Sequence, residues 1–228
     1  MKKTYVIIVA GGSGSRMGTE LPKQFHILNG KPVLMHTIER FAFSKSRPQI
    51  FVVLNEAMVS TWDSLCINHS FQIPHKIVLG GQSRFQSVRN GLQEITKLEL
   101  NNMKNVSIAV HDAARPLIES TLIDTCFESV DTHVATVLAV QSTNSIRKGT
   151  QEKNTALKRE NIWVIQTPQT FRGDVLEKSF KQEESAMFTD DASVVEKLGY
   201  PIYLIEGDHK NIKITYAQDI QIAQLLLS

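Results

Sequence analysis

The chain has 228 residues, of which 42% are hydrophobic and 21% charged, and its formal net charge is +2. This composition is typical of a globular domain that buries a sizeable core without disulfides or a structural metal. The nearly balanced charge and the lack of a long Lys/Arg run argue against nucleic acid or an anionic membrane as a partner. Cys66 and Cys126 lie among apolar neighbours, so we expect reduced core thiols and a cytoplasmic location.

The apolar run at residues 5–9 is too short for a signal peptide and stops at two glycines, so it predicts a first buried strand. Further strands are predicted at 50–54, 76–79, 106–111, 135–139 and 202–205. Helices are predicted at 33–44, 57–68, 84–98, 119–130, 172–182, 190–198 and 216–227. The alternation predicts a single α/β domain over residues 1–228 with a doubly wound, mostly parallel sheet. Ligands bind such sheets beyond the carboxyl ends of their strands.

The segment 141–166 interrupts this alternation because it is polar and has no clear helical period. A structureless loop of that length is uncommon in a compact domain, so we predict a projecting β-hairpin arm. Such an arm exposes apolar surface, which a partner subunit would cover. We therefore expect the arm to contact a partner subunit.

The loop after the first strand contains Gly11, Gly12 and Gly14, followed by Arg16 and Lys23. Glycines let backbone N–H groups approach an anion closely, and the two cations add fixed positive charge. Such a loop suits a triphosphate undergoing displacement at its α-phosphorus. The spacing does not fit a Walker A loop. It does not fit the dinucleotide fingerprint G-x-G-x-x-G either, because Met17 stands where the last glycine should be. A tight turn with solvated cations is the alternative.

Two more loops follow predicted strands. Gly80–Gly81–Gln82 before a helix suits contact with a base or ribose, although a plain helix N-cap fits equally well. Asp112, directly after the fourth strand, suits Mg²⁺ held directly or through water, or a sugar hydroxyl. Arg115 suits a second phosphate, and a turn with a surface ion pair is the alternative. His111 is expected to be a packed residue.

Three later segments could also contact a ligand, although each, taken alone, fits a purely structural role equally well. Residues 166–171 are predicted to form a polar turn before a helix. Thr189 precedes two aspartates that resemble a helix N-terminus, where hydroxyl and N–H groups can receive phosphate. Residues 211–215 are predicted to place Lys213 on a late strand.

In order and spacing these segments resemble the bacterial 2-C-methyl-D-erythritol 4-phosphate cytidylyltransferases of the non-mevalonate isoprenoid pathway. The resemblance rests on A-G-G-x-G-x-R-M-G with L-P-K-Q, G-G-x-x-R-x-x-S-V, H-D-A-A-R-P, T-P-Q-x-F, T-D-D-A and N-I-K-I-T. It runs from the first strand to the last helix. It implies transfer of CMP from CTP to that polyol phosphate, with a divalent cation such as Mg²⁺, in a homodimer.

The resemblance also implies roles for individual residues. The implied catalytic residues are Arg16, Lys23, Lys213 and Asp112, with Asp112 also near the metal. The implied nucleotide contacts are Ala10, Gly11, Gly12, Gly14, Gly81, Gln82, Ser87 and Ala113. The implied acceptor contacts are Arg115, Ser145, Arg159, Thr167, Thr189 and Lys213. Arg159 would reach the neighbouring subunit's site.

The sequence departs from the family pattern in the arm, where Asn144 replaces a common aspartate and Ser145 a common threonine. Within the enzyme class, ribitol-5-phosphate cytidylyltransferase is the nearest alternative, and Ala113–Ala114 in place of Ser-Val favours the erythritol acceptor. Molybdopterin nucleotidyltransferases lack the Pro-Lys-Gln segment. A nucleotide-binding regulator without catalysis would be expected to lack Arg16, Lys23 or Lys213, all of which are present.

Overall fold

The computed structural model describes residues 2–12, 21–100 and 102–227. Their centre is a seven-stranded sheet. From edge to edge its strands are β11 (Tyr203–Glu206), β7 (Ala135–Gln141), β10 (Trp163–Arg172), β6 (Val106–Asp112), β1 (Lys3–Val9), β4 (Gln49–Leu54) and β5 (Lys76–Leu79). Only β10 runs antiparallel to its neighbours within this sheet. The predicted doubly wound, mostly parallel sheet is confirmed.

The helices of the described residues follow the predicted order, with ends that differ by a few residues. They are α1 (Val33–Ala42), α2 (Glu56–Asn68), α3 (Arg84–Leu98), α4 (Ser120–Ser129), α5 (Gly173–Ser179), α6 (Asp191–Glu196) and α7 (Ala217–Leu227). Cys66 is half-buried in α2 and Cys126 is buried in α4. None of these helices has both the length and the apolar character needed to cross a membrane.

The core has two layers because the central strands alternate their side chains between the faces of the sheet. Tyr5 and Ile7 of β1 pack into the layer that includes α3 and α5. Val6 and Ile8 pack into the layer that includes α1, α2 and α4. This two-sided burial fixes the strands in place, so the loops at their carboxyl ends start from rigid positions.

The prediction of a polar turn at residues 166–171 is wrong, because these residues belong to β10. The strand pairs with β6 and β7, and its register shifts between Ile165 and Gln169. Pro168, after a cis peptide bond, lies within this irregularity. A proline cannot donate to a strand ladder, so its presence in a central strand argues against a strand when only the sequence is read.

The structure also moves both boundaries of the predicted arm. Gln141 ends β7, and residues 163–166 begin β10. Between them, β8 (Ile146–Gly149) and β9 (Asn154–Leu157) form an antiparallel hairpin. A second small hairpin joins β2 (Ile27–Leu28) to β3 (Lys31–Pro32). The hairpin predicted from the aperiodic segment is therefore present, in a shorter form.

Candidate active site

The carboxyl ends of β1, β5 and β6 surround a cleft of about 430 Å³. Residues from five segments line it, namely Val9–Gly12, Lys23–Gln24, Gly81–Arg84 with Ser87, Asp112–Ala114, and Lys213. The three loops that follow strands in the sequence-based prediction thus meet at one place. This is the position at which open α/β sheets bind ligands.

The glycine loop after β5 has a shape that the helix after it imposes. Ser83 is the N-cap of α3 and accepts a hydrogen bond from the backbone N–H of Gln86. The Ser87 hydroxyl donates to the Ser83 carbonyl (2.8 Å) and accepts from the N–H of Gly81 (3.1 Å). A Cβ at Gly81 would lie 2.3 Å from the Cβ of Gln86, so only glycine fits there. The hydrogen bonds that cap α3 therefore also hold the glycine loop in its conformation.

Asp112 is the centre of charge in the cleft. Its carboxylate lies 2.8 Å from Lys213 Nζ, 3.7 Å from Arg115 Nε and 3.8 Å from Arg84 Nη2. Burial by itself would raise the pKa of Asp112, but the charges of Lys213, Arg84 and Arg115 outweigh it and hold that pKa below its usual range. Asp112 is therefore ionised at neutral pH.

Lys213 reaches Asp112 from an extended segment, not from the strand predicted at residues 211–215. The N–H of Ile214 donates to the carbonyl of Ala114 (2.8 Å), which ties this segment to the loop after β6. The guanidinium of Arg115 donates to the carbonyl of Asn211 (2.7 Å) from the same side. Backbone contacts thus bring a residue one hundred positions away to the end of β6.

Arg84, the first residue of α3, was missed as a site residue in the sequence-based prediction. Its guanidinium donates two hydrogen bonds, of 2.7 and 2.6 Å, to the carboxylate of Asp191. Asp191 is buried at the start of α6. A bidentate pair of this kind fixes the orientation of the guanidinium, and removing Arg84 would leave the buried carboxylate of Asp191 without its partner. The two aspartates of the T-D-D-A segment were the sequence feature that could have indicated a cationic partner for Asp191.

His111 is fully buried beneath Asp112, as expected for a packed residue. Its Nε2 lies 3.1 Å from the Arg115 carbonyl, so this nitrogen carries the proton. Nδ1 then accepts from the Thr167 hydroxyl (3.1 Å), which in turn accepts from the N–H of Asp112 (3.1 Å). Burial lowers the pKa of His111 to about 4, so the ring is neutral at pH 7. The chain from His111 to Thr167 positions the backbone of Asp112.

The structure places the remaining predicted residues in three groups. Those that line the cleft are Ala10, Gly11, Gly12, Lys23, Gly81, Gln82, Ser87, Asp112, Ala113 and Lys213. Arg16 and Gly14 lie outside the described residues. Those that do not line it are Arg115, Ser145, Arg159, Thr167 and Thr189. Ser145, Arg159 and Thr189 are exposed, whereas Arg115 and Thr167 are held in the contacts given above.

Among the described residues that line the cleft, Asp112 is the one carboxylate suited to a divalent cation, and the nearby Asp191 is paired with Arg84. In the part of the chain that the structure describes, three or more His, Cys, Asp or Glu side chains nowhere gather into a metal site. Mg²⁺ is usually held by one or two carboxylates together with the phosphates of a substrate. Asp112 beside a triphosphate would meet that requirement.

Comparison with known proteins is decisive for the family. The model of the 2-C-methyl-D-erythritol 4-phosphate cytidylyltransferase (IspD) family matches residues 4–228. The chain belongs to this family. The predicted family, fold and enzyme class, a nucleotidyltransferase, are thereby confirmed.

Individual relatives match over their full length. A 2-C-methyl-D-erythritol 4-phosphate cytidylyltransferase of Azobacteroides pseudotrichonymphae is 43% identical, with 100% of both chains covered. The enzyme of that name from Bacteroides fragilis is 40% identical over 97% of this chain and 98% of its own. The crystal structure of the Francisella tularensis enzyme superposes with a TM-score of 0.79 at 34% identity, over 98% of this chain and 99% of that one. These matches leave no large segment of the chain outside the family fold.

The neutral state of His111 predicts a specific loss of stability in acid. An unfolded histidine has a pKa of about 6.5, so below that pH the unfolded chain binds a proton that the folded chain does not. The free energy of unfolding should therefore fall by about 2 kcal/mol from this group between roughly pH 7.5 and 5. Urea unfolding of wild type and His111→Gln at both pH values measures the difference.

The variant should lack that part of the pH dependence, whereas His209→Gln, which changes an exposed histidine, should keep it. An equal pH dependence in wild type and His111→Gln would show that His111 is not the group responsible.

Proposed function

We propose that the chain transfers CMP from CTP to 2-C-methyl-D-erythritol 4-phosphate, giving 4-diphosphocytidyl-2-C-methyl-D-erythritol and pyrophosphate. The observation that carries this proposal is the joining of glycine loops with Lys23, Arg84 and Lys213 around the ionised Asp112 in one cleft. Glycine N–H groups and fixed cations suit a polyphosphate. The family relationship supplies the identities of nucleotide and acceptor.

The proposed reaction is an in-line displacement. An oxygen of the acceptor phosphate forms a bond to the α-phosphorus of CTP, and the bond from that phosphorus to the bridging oxygen breaks. Pyrophosphate leaves with the electron pair. The nucleophile is already an anion, so no side chain has to remove a proton. His111 is excluded as a general base because it is fully buried and both ring nitrogens have partners.

The residues of the chain act mainly by position and charge. We assign the glycine loop after β1 and Lys23 to the phosphates of CTP, where charge develops on the equatorial and leaving oxygens. The glycine loop after β5 is assigned to the base or ribose of CTP. Arg16, the remaining predicted catalytic cation, lies outside the described residues and is assigned to the same charge by family resemblance. Lys213 beside Asp112 is placed to bind the acceptor phosphate as it approaches.

A divalent cation, which we take to be Mg²⁺, would be held by Asp112 and the phosphates of CTP. When bound, it supplies positive charge that neutralises the polyphosphate. The displacement of Lys213 from its 2.8 Å contact with Asp112 would free that ammonium group for the acceptor.

We further propose that the β8–β9 hairpin forms a homodimer and carries Arg159 into the partner's cleft. The hairpin strands pair only with each other in the described chain. An isolated two-stranded hairpin is marginally stable, and Leu157, Trp163 and Val164 beside it are exposed. The Arg159 side chain is 55% exposed and donates to the carbonyl of Thr143 (3.2 Å). Burial of this region against a second copy would account for its exposed apolar side chains.

One assay tests the proposed function directly. Pyrophosphate release is measured with CTP, UTP or ATP, each combined with 2-C-methyl-D-erythritol 4-phosphate or ribitol 5-phosphate. We expect turnover with CTP and the erythritol acceptor. Turnover with ribitol 5-phosphate instead would favour the alternative cytidylyltransferase. Binding of CTP without turnover on either acceptor would favour a regulator.

Lys23→Ala should lower kcat far more than it raises KM for CTP. The reason is that Lys23 is assigned to charge that is larger in the transition state than in bound CTP. Loss of one such group lowers the rate by roughly 10²- to 10³-fold. Steady-state kinetics check this, with the exposed Lys45→Ala as a control for loss of a lysine. A normal kcat with only a raised KM would contradict the assignment.

Turnover should require a divalent cation, because Asp112 offers a carboxylate in the cleft and the triphosphate needs further positive charge. Pyrophosphate release should stop in excess EDTA and return when Mg²⁺ is added above the chelator. Undiminished turnover in EDTA would rule out the requirement.

Arg159→Ala should leave KM for CTP unchanged and raise KM for the acceptor, because the arm is proposed to contact only the acceptor phosphate. Arginine suits this task since its planar guanidinium binds phosphate through two hydrogen bonds. Arg147→Ala, which removes an arginine from the hairpin that precedes Arg159, is the control.

A mixture of chains distinguishes action within a subunit from action across the interface. Arg159→Ala and Lys23→Ala chains are combined under conditions in which subunits exchange, at an acceptor concentration at which each variant alone is nearly inactive. If Arg159 acts across the interface, each mixed dimer has one intact site, and random pairing restores up to about a quarter of wild-type activity. Demonstrated exchange without recovery would show that Arg159 acts in its own chain.

A further inference from the structure

Gln24 is a buried polar residue on the cleft wall that the sequence-based prediction did not assign. It is 2% exposed and lies in the short 3₁₀ turn Lys23–Phe25. Its Nε2 lies 2.5 Å from the carbonyl oxygen of Ala10 and 3.4 Å from that of Gly12. An amide nitrogen donates two hydrogens, whereas an amide oxygen would repel both carbonyls, so the nitrogen must face them.

These contacts fix the orientation of the peptide groups in the glycine loop after β1. The N–H of Ala10 donates to the carbonyl of Val53 (2.9 Å), and its carbonyl accepts from Gln24, so both backbone groups of Ala10 have partners. In a planar trans peptide the C=O and the next N–H point in opposite directions. The N–H of Gly11 therefore points away from Gln24.

The turn that carries Gln24 is itself anchored in the core. Phe25 stacks on Trp62, with ring centroids 6.0 Å apart and planes inclined by 14°. Trp62 is 1% exposed and its ring N–H contacts Nε2 of His75 at 3.0 Å. Gln24 also lies 3.3 Å from the sulfur of Met58, which like Trp62 belongs to α2. One turn thus joins Lys23, α2 and the glycine loop.

We propose that Gln24 is a positioning residue that sets the separation between Lys23 and the glycine loop, so that both contact the same triphosphate. Lys23 precedes Gln24 directly, so the side chain that holds Ala10 and Gly12 also fixes the start of the lysine side chain. This inference rests on the proposed function, because it concerns the binding of CTP in the same cleft. It predicts an effect on CTP and none on the acceptor.

The test uses two substitutions that remove the donor in different ways. Gln24→Glu keeps the shape and places a carboxylate against two carbonyls, whereas Gln24→Leu removes both polar groups. Gln49→Glu makes the same chemical change at an exposed position at the start of β4 and serves as the control. KM for CTP and for the acceptor is measured for each protein across a range of pH, relative to wild type.

At about pH 8 we expect Gln24→Glu to raise KM for CTP about tenfold or more, because two buried carbonyls lose their donor and face a negative charge. Burial raises the pKa of such a carboxyl, and its protonated form can donate to Ala10. KM for CTP should therefore recover toward wild type as the pH falls to about 6. Gln24→Leu should show a raised KM without that recovery, and Gln49→Glu should match wild type.

A merely structural role for Gln24 would weaken the binding of both substrates together, at high pH and during any recovery at low pH. Thermal unfolding followed by circular dichroism is recorded for each variant. The pH comparison is made within one variant, so an instability common to all pH values cannot produce it. An unchanged KM for CTP in Gln24→Glu at high pH, or an equal loss for both substrates, would overturn the inference. A wild type that releases no pyrophosphate from CTP would instead contradict the proposed function.

Discussion

Lys213, Arg84 and Arg115 come from distant parts of the chain, and the carboxylate of Asp112 is what allows their charges to lie together. Without that negative charge, three cations within 3.8 Å of one point would repel one another in a partly buried site. Asp112 ends a fully buried strand, and its N–H is bound by Thr167, so its position is fixed before any ligand enters. The cleft is therefore organised for a polyanion from within.

The regular elements could be predicted because each depends on local signals. The buried runs of β1 and β4, the N-cap at Ser83 and the paired glycines are all visible over a few residues. The strand β10 could not be predicted in this way, because its polar side chains are satisfied by remote partners. Gln169 accepts from the N–H of Ala192 and donates to Asp190, both more than twenty positions away. A hydropathy pattern has no means of showing that a buried glutamine is paired.

The same distinction separates the site residues that were predicted from those that were missed. Loops after strands are identifiable because parallel strands place their carboxyl ends along one edge, so Gly81 and Asp112 were found. Arg84 was missed because its orientation in the site depends on its ion pair with Asp191, which is 107 positions away. Gln24 belongs to the quoted L-P-K-Q segment, but it was given no role because the carbonyls of Ala10 and Gly12 that it binds could not be located from the sequence. The sequence shows which polar residues are present, but it does not show which distant residue each of them pairs with.

The proposed substrates would add negative charge to a cleft whose described charges are already paired. Arg84, Arg115 and Lys213 surround the carboxylate of Asp112, and Arg84 is also paired with Asp191. A nucleoside triphosphate brings about four negative charges, and its phosphates must be neutralised for displacement to be fast.

In the proposed function, a divalent cation and Arg16 would add positive charge beside the phosphates of CTP. The acceptor phosphate then adds further negative charge at a cleft whose own cations are already engaged. In the proposed homodimer, an arginine from the neighbouring subunit would add positive charge at the cleft when the acceptor binds. The same contact would cover Trp163 and Val164, which are exposed beside the arm, so one interface would serve both the acceptor site and the apolar surface of the arm.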